Sequence, residues 1–190
     1  PLAELYRVMV PPGIRNRMFG IISNMREPNI FVNNVLQGEF NKAGISLGRL
    51  VVNSTLGIGG MWDVASNWDW RQQTGDFGQT LAVWGAGEGP YLMLPIYGPS
   101  NVRDAIGRGV DMAMSPWQYL AWMDSTTTLI NFEVASLGAD GIVRREKNIE
   151  NIDALRTGTL DPYANFRSAY QQYRRKQVGQ SEIVDFDKAE

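Results

Sequence analysis

Residues 20–38 read GIISNMREPNIFVNNVLQG, and the fold class turns on how this stretch is read. From Pro12 to Arg26, the residues Ile14, Met18, Ile21, Ile22 and Met25 recur at helical spacing. Pro28 then interrupts the pattern. The residue before a proline avoids the helical region, and proline has no N–H to give the preceding turn. The spacing therefore predicts a helix that stops before Glu27 and a second short helix over 29–37, ended by Gly38.

The same punctuation recurs in both directions. Residues 1–10 form a short helix stopped by Pro11-Pro12. Residues 40–56 favour helix, with Leu47, Leu50, Val51 and Ser54 on one face, and Gly57-Ile58-Gly59-Gly60 breaks it. A short helix covers 77–84 and ends at Gly85; another covers 101–114, with Ser100 as its N-cap. The longest helix is expected over 116–137, with Pro116 in its first turn and Gly138 past its end, before a turn at 139–141. Asp161-Pro162 opens the last helix as N-cap and first helical residue, placing Tyr163, Phe166, Tyr170 and Tyr173 on one face. Residues from about 179 to 190 read as a polar, frayed tail. The expectation is a mainly α chain, a single domain over 1–190, built of short helices punctuated by proline and glycine. Nine prolines and 20 glycines are many for a straight bundle, so the chain is expected to turn repeatedly along a curve.

Composition removes several function classes. The 190 residues are 44% apolar and carry a net charge of −2, which makes a globular chain without the basic face that nucleic acid requires. The one basic run, Arg174-Arg175-Lys176, reads as a solvated helix end. Cysteine and histidine are both absent, so Cys/His zinc sites and a histidine general base are excluded; no metal and no cofactor are expected. No run of 18 apolar residues marks a membrane-crossing helix, and no secretory signal peptide is present.

Individual motifs carry little chemistry. Gly44-Ile45-Ser46-Leu47-Gly48 fits the G-x-S-x-G elbow of esterases, but that elbow needs a strand before the serine and a histidine base. Close helix packing is the better reading of Gly44 and Gly48. The glycine clusters at 57–60 and 85–89 lack the spacing of phosphate-binding loops. Asn53-Ser54-Thr55 matches a glycosylation sequon within an apolar helix and is assigned no role. Asp63, Asp69, Asp104 and Asp111 read as surface carboxylates and helix caps rather than an acid–base pair.

Two features stand out. Trp62, Trp68, Trp70 and Trp84 fall within 23 residues, and such rings suit either a core or a membrane interface. Residues 85–98, GAGEGPYLMLPIYG, set Gly85, Gly87, Gly89 and Pro90 beside the densest apolar run, Tyr91, Leu92, Met93 and Leu94, followed by Ile96 and Tyr97. The segment reads either as a turn into a core strand or as an apolar wall on a loose hinge.

Taken together, the segments resemble the MlaA (VacJ) family of outer-membrane lipoproteins. The likeness rests on Glu27-Pro28, Val32-Asn33, Leu36-Gln37-Gly38, Asn53 to Gly60, Asp63-Val64-Ala65 and Phe77-Gly78-Gln79-Thr80-Leu81. It continues through Gly85-x-Gly87-x-Gly89-Pro90-Tyr91, Leu94-Pro95-x-Tyr97-Gly98, Arg103-Asp104, and Asp161-Pro162-Tyr163 with Arg167, Ala169-Tyr170 and Arg174. It implies a helical ring in the Gram-negative outer membrane with an amphipathic channel. Phospholipid misplaced in the outer leaflet would pass through that channel toward a soluble periplasmic carrier, beside a trimeric porin. It also places Gly85, Gly87, Gly89 and Pro90 in a channel-lining hairpin. Family members carry a lipidated cysteine after a signal peptide; this cysteine-free sequence is read as a trimmed form of a lipid-anchored protein on the periplasmic side of that membrane.

The physics of the cargo agrees with a conduit. Exposing two acyl tails of about fifteen methylenes each to water costs on the order of 25 kcal/mol at ~0.8 kcal/mol per CH₂. A passive path must therefore be continuously apolar for the tails. Two other readings differ in kind: an adaptor that docks beside a porin without a channel of its own, and an esterase using Ser46.

Overall fold

The computed structural model describes residues 2–94, 98–116 and 161–179. The expected helix over 116–137, the turn at 139–141, Ile96, Tyr97 and residues 180–190 lie outside the described residues.

Helix α1, Leu2–Met9, ends before Pro11 as its sequence dictates. Helix α2 departs from expectation: Pro12–Leu36 is one helix of 25 residues, with Pro28 inside it. An interior proline costs about 3 kcal/mol through its missing hydrogen bond and ring clash. Tertiary packing overrides that local preference. Asn24 and Glu27 before the proline, and Ile30, Asn33 and Asn34 after it, are all buried. The half before the proline bonds Ser54 and Arg49, and the half after it bonds Thr80 and Asp111, so both are held in place. The helix ends where predicted, with Gly38 at φ +76°.

Helix α3, Phe40–Thr55, runs beside α2 and buries Ala43, Ser46, Arg49 and Asn53. Its apolar side points outward, with Leu47 45% and Val51 55% exposed. The expected apolar face exists but is the external one. The loop beyond α3 returns to α2 at a close backbone approach: a Cβ on Gly20 would collide with the Gly60 carbonyl. A 3-10 turn at Ala65–Trp68 follows.

Helix α4, Phe77–Val83, is capped by Asp76, whose Oδ1 accepts from the Gln79 N–H at 2.9 Å. Strands β1, Tyr91–Leu94, and β2, Gly98–Asn101, form an antiparallel hairpin in the register Tyr91↔Asn101, Leu92↔Ser100, Met93↔Pro99 and Leu94↔Gly98. Helix α5, Val102–Met114, is capped by Asn101 rather than Ser100: Asn101 Oδ1 accepts from the Asp104 N–H at 2.7 Å. Ser100 remains in the ladder opposite Leu92. Helices α4 and α5 meet backbone to backbone, since a Cβ on Gly107 would strike the Gly78 backbone. Helix α6, Pro162–Gln177, begins as the sequence predicts, with Asp161 Oδ1 accepting from Ala164 N–H at 3.1 Å.

The interior is unusual in kind. Among the described residues the buried apolar side chains are Ile30, Ala43, Ala65 and Ala82, three of them alanine. Glu27, Asn33, Asn34, Arg49, Thr80, Arg103, Asp104 and Arg174 are buried as well, while Phe40, Val51, Leu56, Ile58 and Trp84 are exposed. No described helix is long and apolar enough to cross a membrane.

Candidate functional site

The hairpin and the glycine loop before it form one unit. Gly85 (φ +93°) and Gly89 (φ +67°) hold left-handed backbone that side chains resist, whereas Gly87 is not in that region. Among the described residues, adjacent ones aside, no atom lies within 4 Å of where a Cβ on Gly85 or Gly87 would stand. The loop is pinned at its far end: Val102 N–H donates to the Pro90 carbonyl at 3.2 Å and Arg103 N–H to the Glu88 carbonyl at 3.3 Å. Leu92 and Met93 stand exposed, Met93 at 51%, so β1 is not a core strand. Leu94 is half-buried. Tyr91 turns the other way. Its ring packs edge-on against Tyr163 at 5.5 Å and Tyr170 at 6.2 Å, both on α6. The structure thus separates Tyr91 from Leu92 and Met93: one grips the protein, the others face out.

Beneath the hairpin sits an ion network. Asp104, expected at the surface, is 3% exposed, and the supposedly solvated Arg174 is buried with it. Arg174 Nε donates to Asp104 Oδ2 at 2.7 Å, and its two terminal nitrogens donate to Asp76 at 2.7 and 2.9 Å. Tyr170 Oη donates to Asp104 Oδ2 at 2.6 Å, and Arg103 Nε to Asp104 Oδ1 at 3.2 Å. Burial alone would raise both carboxyls; the bonds from Arg174, and from Tyr170 to Asp104, outweigh it and hold both below the ordinary value. Burial and the Asp104 carboxylate push the Tyr170 phenol up. Arg175 adds an exposed pair with Glu88 at 3.5 Å. One helix end therefore ties together the α4 cap, the α5 N-terminus and the glycine loop.

Two further polar seams support this arrangement. In the first, Arg49 donates to Glu27 at 2.8 Å, to Asp63 at 3.1 Å, to Ser66 at 3.2 Å and to the Trp70 carbonyl. Burial raises the Glu27 carboxyl despite that partner. Asn53, of the apparent sequon, is buried here; it donates to Asp63 and accepts from Ala65 N–H, both at 3.0 Å. Ser46 is fully buried mid-helix beside Glu27, not exposed on a strand-to-helix elbow. The close helix packing expected at Gly44 and Gly48 is not what the described residues show: Gly48 lies under the ring of Trp70, which belongs to no helix, and no described atom comes within 4 Å of a Cβ placed on Gly44. In the second seam, Asp111 accepts from Asn33 at 2.8 Å and from Phe77 N–H at 3.0 Å, joining α2, α4 and α5. Burial raises its carboxyl to about 6. Asp69 alone of the four aspartates is fully surface-like, paired with Arg71.

The four tryptophans are all exposed, and not as one cluster. Trp68 and Trp70 stack edge-on at 5.6 Å, and Trp62 lies under the Arg17 guanidinium at 4.3 Å. Trp84 packs edge-on against Phe77 at 5.8 Å and donates to the Leu36 carbonyl at 3.2 Å.

A family model described as MlaA lipoprotein matches residues 1–177. The chain belongs to the MlaA lipoprotein family. A relative from Haemophilus influenzae named intermembrane phospholipid transport system lipoprotein MlaA is 35% identical, across 97% of this chain and 72% of its own length. The Escherichia coli protein of that name is 34% identical over 90% of this chain and 65% of its own. A solved structure described as "Structural basis for maintenance of bacterial outer membrane lipid asymmetry" superposes with a TM-score of 0.77 at 32% identity, covering 94% of this chain and 86% of that one. Several family-matching positions prove to be network members: Glu27, Asn33, Asn53, Asp63, Gln79, Thr80, Arg103, Asp104 and Arg174. Sequence reasoning identified these as landmarks of the MlaA likeness and missed their mutual bonding, because the partners that join the elements, such as Arg174 to Asp76 and Asp104 and Thr80 to Asn33, lie far apart in the chain.

Proposed function

We propose that this chain is a passive phospholipid conduit of the outer membrane, removing misplaced phospholipid from the outer leaflet toward a soluble periplasmic carrier. It works beside a trimeric porin, with its native form lipid-anchored on the periplasmic side. One observation carries the reading: among the described residues, charged and amide side chains dominate the buried positions, and many large apolar side chains are exposed. In water that arrangement wastes the main driving force of folding. Against hydrocarbon it satisfies both phases, because polar groups find partners inside and methylenes meet methylenes outside.

In this reading the helices curve into a ring whose inner wall is amphipathic. Leu92, Met93 and Leu94, with Ile96 and Tyr97, line or flank the tail path, and Gly85, Gly87 and Gly89 let that wall shift. Trp62, Trp68, Trp70 and Trp84 sit at the membrane–water boundary, where an indole keeps one side dry and its N–H wet. Transport needs no energy source in this chain, since the lipid runs down its own gradient to the carrier.

The test replaces Met93 and Leu92 together by glutamate in cells lacking the native protein. Outer-leaflet phosphatidylethanolamine is then labelled with a membrane-impermeant amine reagent. The conduit reading expects surface labelling to rise toward that of the deletion while the protein stays in the outer membrane. Labelling identical to wild type would overturn it.

A further inference from the structure

We propose that Arg167 and Tyr163, two exposed residues of α6, form a phosphodiester-binding site that holds the headgroup of a phospholipid while its tails lie along Leu92 and Met93. This deepens the conduit reading and rests on it for the source of the ligand, not for the site itself. The cations of α6 are of two kinds. Arg174 is buried and bonded to Asp76 and Asp104, and Arg175 is paired with Glu88. Arg167 is exposed and, among the described residues, has no hydrogen bond and no ion pair from its side chain. Tyr163 stands one turn before it on the same helix face and is 55% exposed.

An exposed arginine is often simply solvated. The surroundings set this one apart. Tyr91 packs edge-on against the Tyr163 ring at 5.5 Å, and its hydroxyl lies within electrostatic reach of both the Tyr163 phenol and the Arg167 guanidinium. That hydroxyl has no hydrogen-bond partner, whereas the nearby Tyr170 hydroxyl is committed to Asp104. A cation free of carboxylates therefore sits among phenols that still have a proton to donate. A phosphodiester matches this chemistry: its two charged oxygens suit the guanidinium fork, with lone pairs left for a phenol. The apolar neighbours select an anion that carries hydrocarbon. Tyr91 is followed directly in β1 by Leu92 and Met93, 36% and 51% exposed, and at ~3.3 Å per residue Met93 lies only about 7 Å along the strand. A phospholipid gains from both parts of this surface, free phosphate from one. The net charge of −2 supplies no long-range field that would gather free anions.

The experiment uses the full chain in dodecyl maltoside and reads retention of radiolabelled ligand on the immobilised protein. Three probes separate the contributions: phosphatidylethanolamine, diacylglycerol with the same acyl chains, and inorganic phosphate. Arg167→Gln should weaken phosphatidylethanolamine binding about ten-fold and leave diacylglycerol within about two-fold. Tyr163→Phe keeps the ring against Tyr91 and should weaken it by about three-fold. Arg167→Lys keeps the charge without the fork and should fall between wild type and Arg167→Gln. Lys176→Gln removes an exposed cation farther along the same helix and should change nothing. The Arg167 side chain bonds to no described residue, so Arg167→Gln should keep the wild-type thermal midpoint, which separates lost binding from lost fold. Unchanged phosphatidylethanolamine affinity in Arg167→Gln, or an equal loss for diacylglycerol, overturns the site. Inorganic phosphate that displaces the lipid at equal concentration, through Arg167, overturns the headgroup as its occupant. The readout involves no transport. An indifferent Arg167→Gln beside a rise in surface phospholipid on Leu92 and Met93 substitution removes the headgroup site and leaves the conduit; the converse removes the conduit and leaves a phospholipid-binding site.

Discussion

Replacing Arg174 by methionine removes one cation from between two carboxylates. The guanidinium makes three bonds of 2.7–2.9 Å to Asp76 and Asp104, and Asp104 is 3% exposed. Methionine keeps most of the stem but leaves an uncompensated buried charge, which typically destabilises by about 3–5 kcal/mol. At roughly 2–4 °C per kcal/mol for a chain of this size, the midpoint should fall by about 6–20 °C near neutral pH. The sign of the pH dependence follows from the carboxyls. Both lie below their ordinary value in the folded chain, so their contribution is complete above that value of 3.8 and is lost as pH falls through the lowered folded values. Without Arg174, desolvation raises both carboxyls, and protonation then relieves the variant. The gap between wild type and Arg174→Met should therefore narrow as pH drops from 7 to 4. Thermal unfolding in one detergent across that range measures it. A midpoint within 2 °C of wild type at pH 7, or a gap that does not narrow in acid, would refute the reasoning.

Three smaller tests concern packing and titration. Gly107→Ala should destabilise by about 1–3 kcal/mol because its Cβ meets the Gly78 backbone, while Gly44→Ala, with open space around it, should stabilise α3 by roughly 0.5–1 kcal/mol; denaturant midpoints decide both. Pro28→Ala restores a helical N–H inside α2 and should raise the midpoint, the gain bounded by the ~3 kcal/mol proline penalty. Asp111 has a folded value near 6, above its ordinary one, so wild-type stability should fall as pH rises from about 4 to about 6. Asp111→Asn should flatten that slope, and an unchanged pH profile would count against the burial argument.

What the sequence revealed was local. Asp161-Pro162 opens α6 and Gly38 closes α2 because capping depends on residues within one turn. The same local logic failed at Pro28, where a known penalty is outweighed by buried partners on both sides. It failed again at Arg174, whose carboxylate partner Asp76 is 98 residues away. Periodicity located the apolar face of α3 correctly but could not say what that face touches: the pattern is the same whether it meets protein or hydrocarbon. The hairpin was expected only through the family likeness; its glycines and apolar run alone read as a turn into a core strand or as an apolar wall on a loose hinge. The division of labour within it was not, because only the fold brings Tyr91 against Tyr163 and Tyr170 while Leu92 and Met93 turn outward.

A polar interior raises the question of what holds the helices in one arrangement. Between apolar surfaces in lipid there is little preference for one register, since acyl chains solvate leucine as well as leucine does. Buried charge pairs discriminate far more sharply, because a slipped register leaves an ion without its partner. They do so at a cost, and apolar residues of similar volume often match or exceed the stability of a buried pair. For Glu27 and Arg49, bonded at 2.8 Å across α2 and α3, the two effects separate experimentally. Arg49→Met alone strands Glu27, which is 1% exposed, and should cost about 3–5 kcal/mol. Glu27→Leu with Arg49→Met strands nothing there, because Asp63 is partly open to solvent, and should return stability close to wild type or above it. If the pair specifies register, the double variant should nonetheless show a broader distribution of distances between spin labels on α2 and α3. A double variant as narrow in distance as wild type would mean that shape alone sets the register and that the ion pairs of this interior serve another purpose.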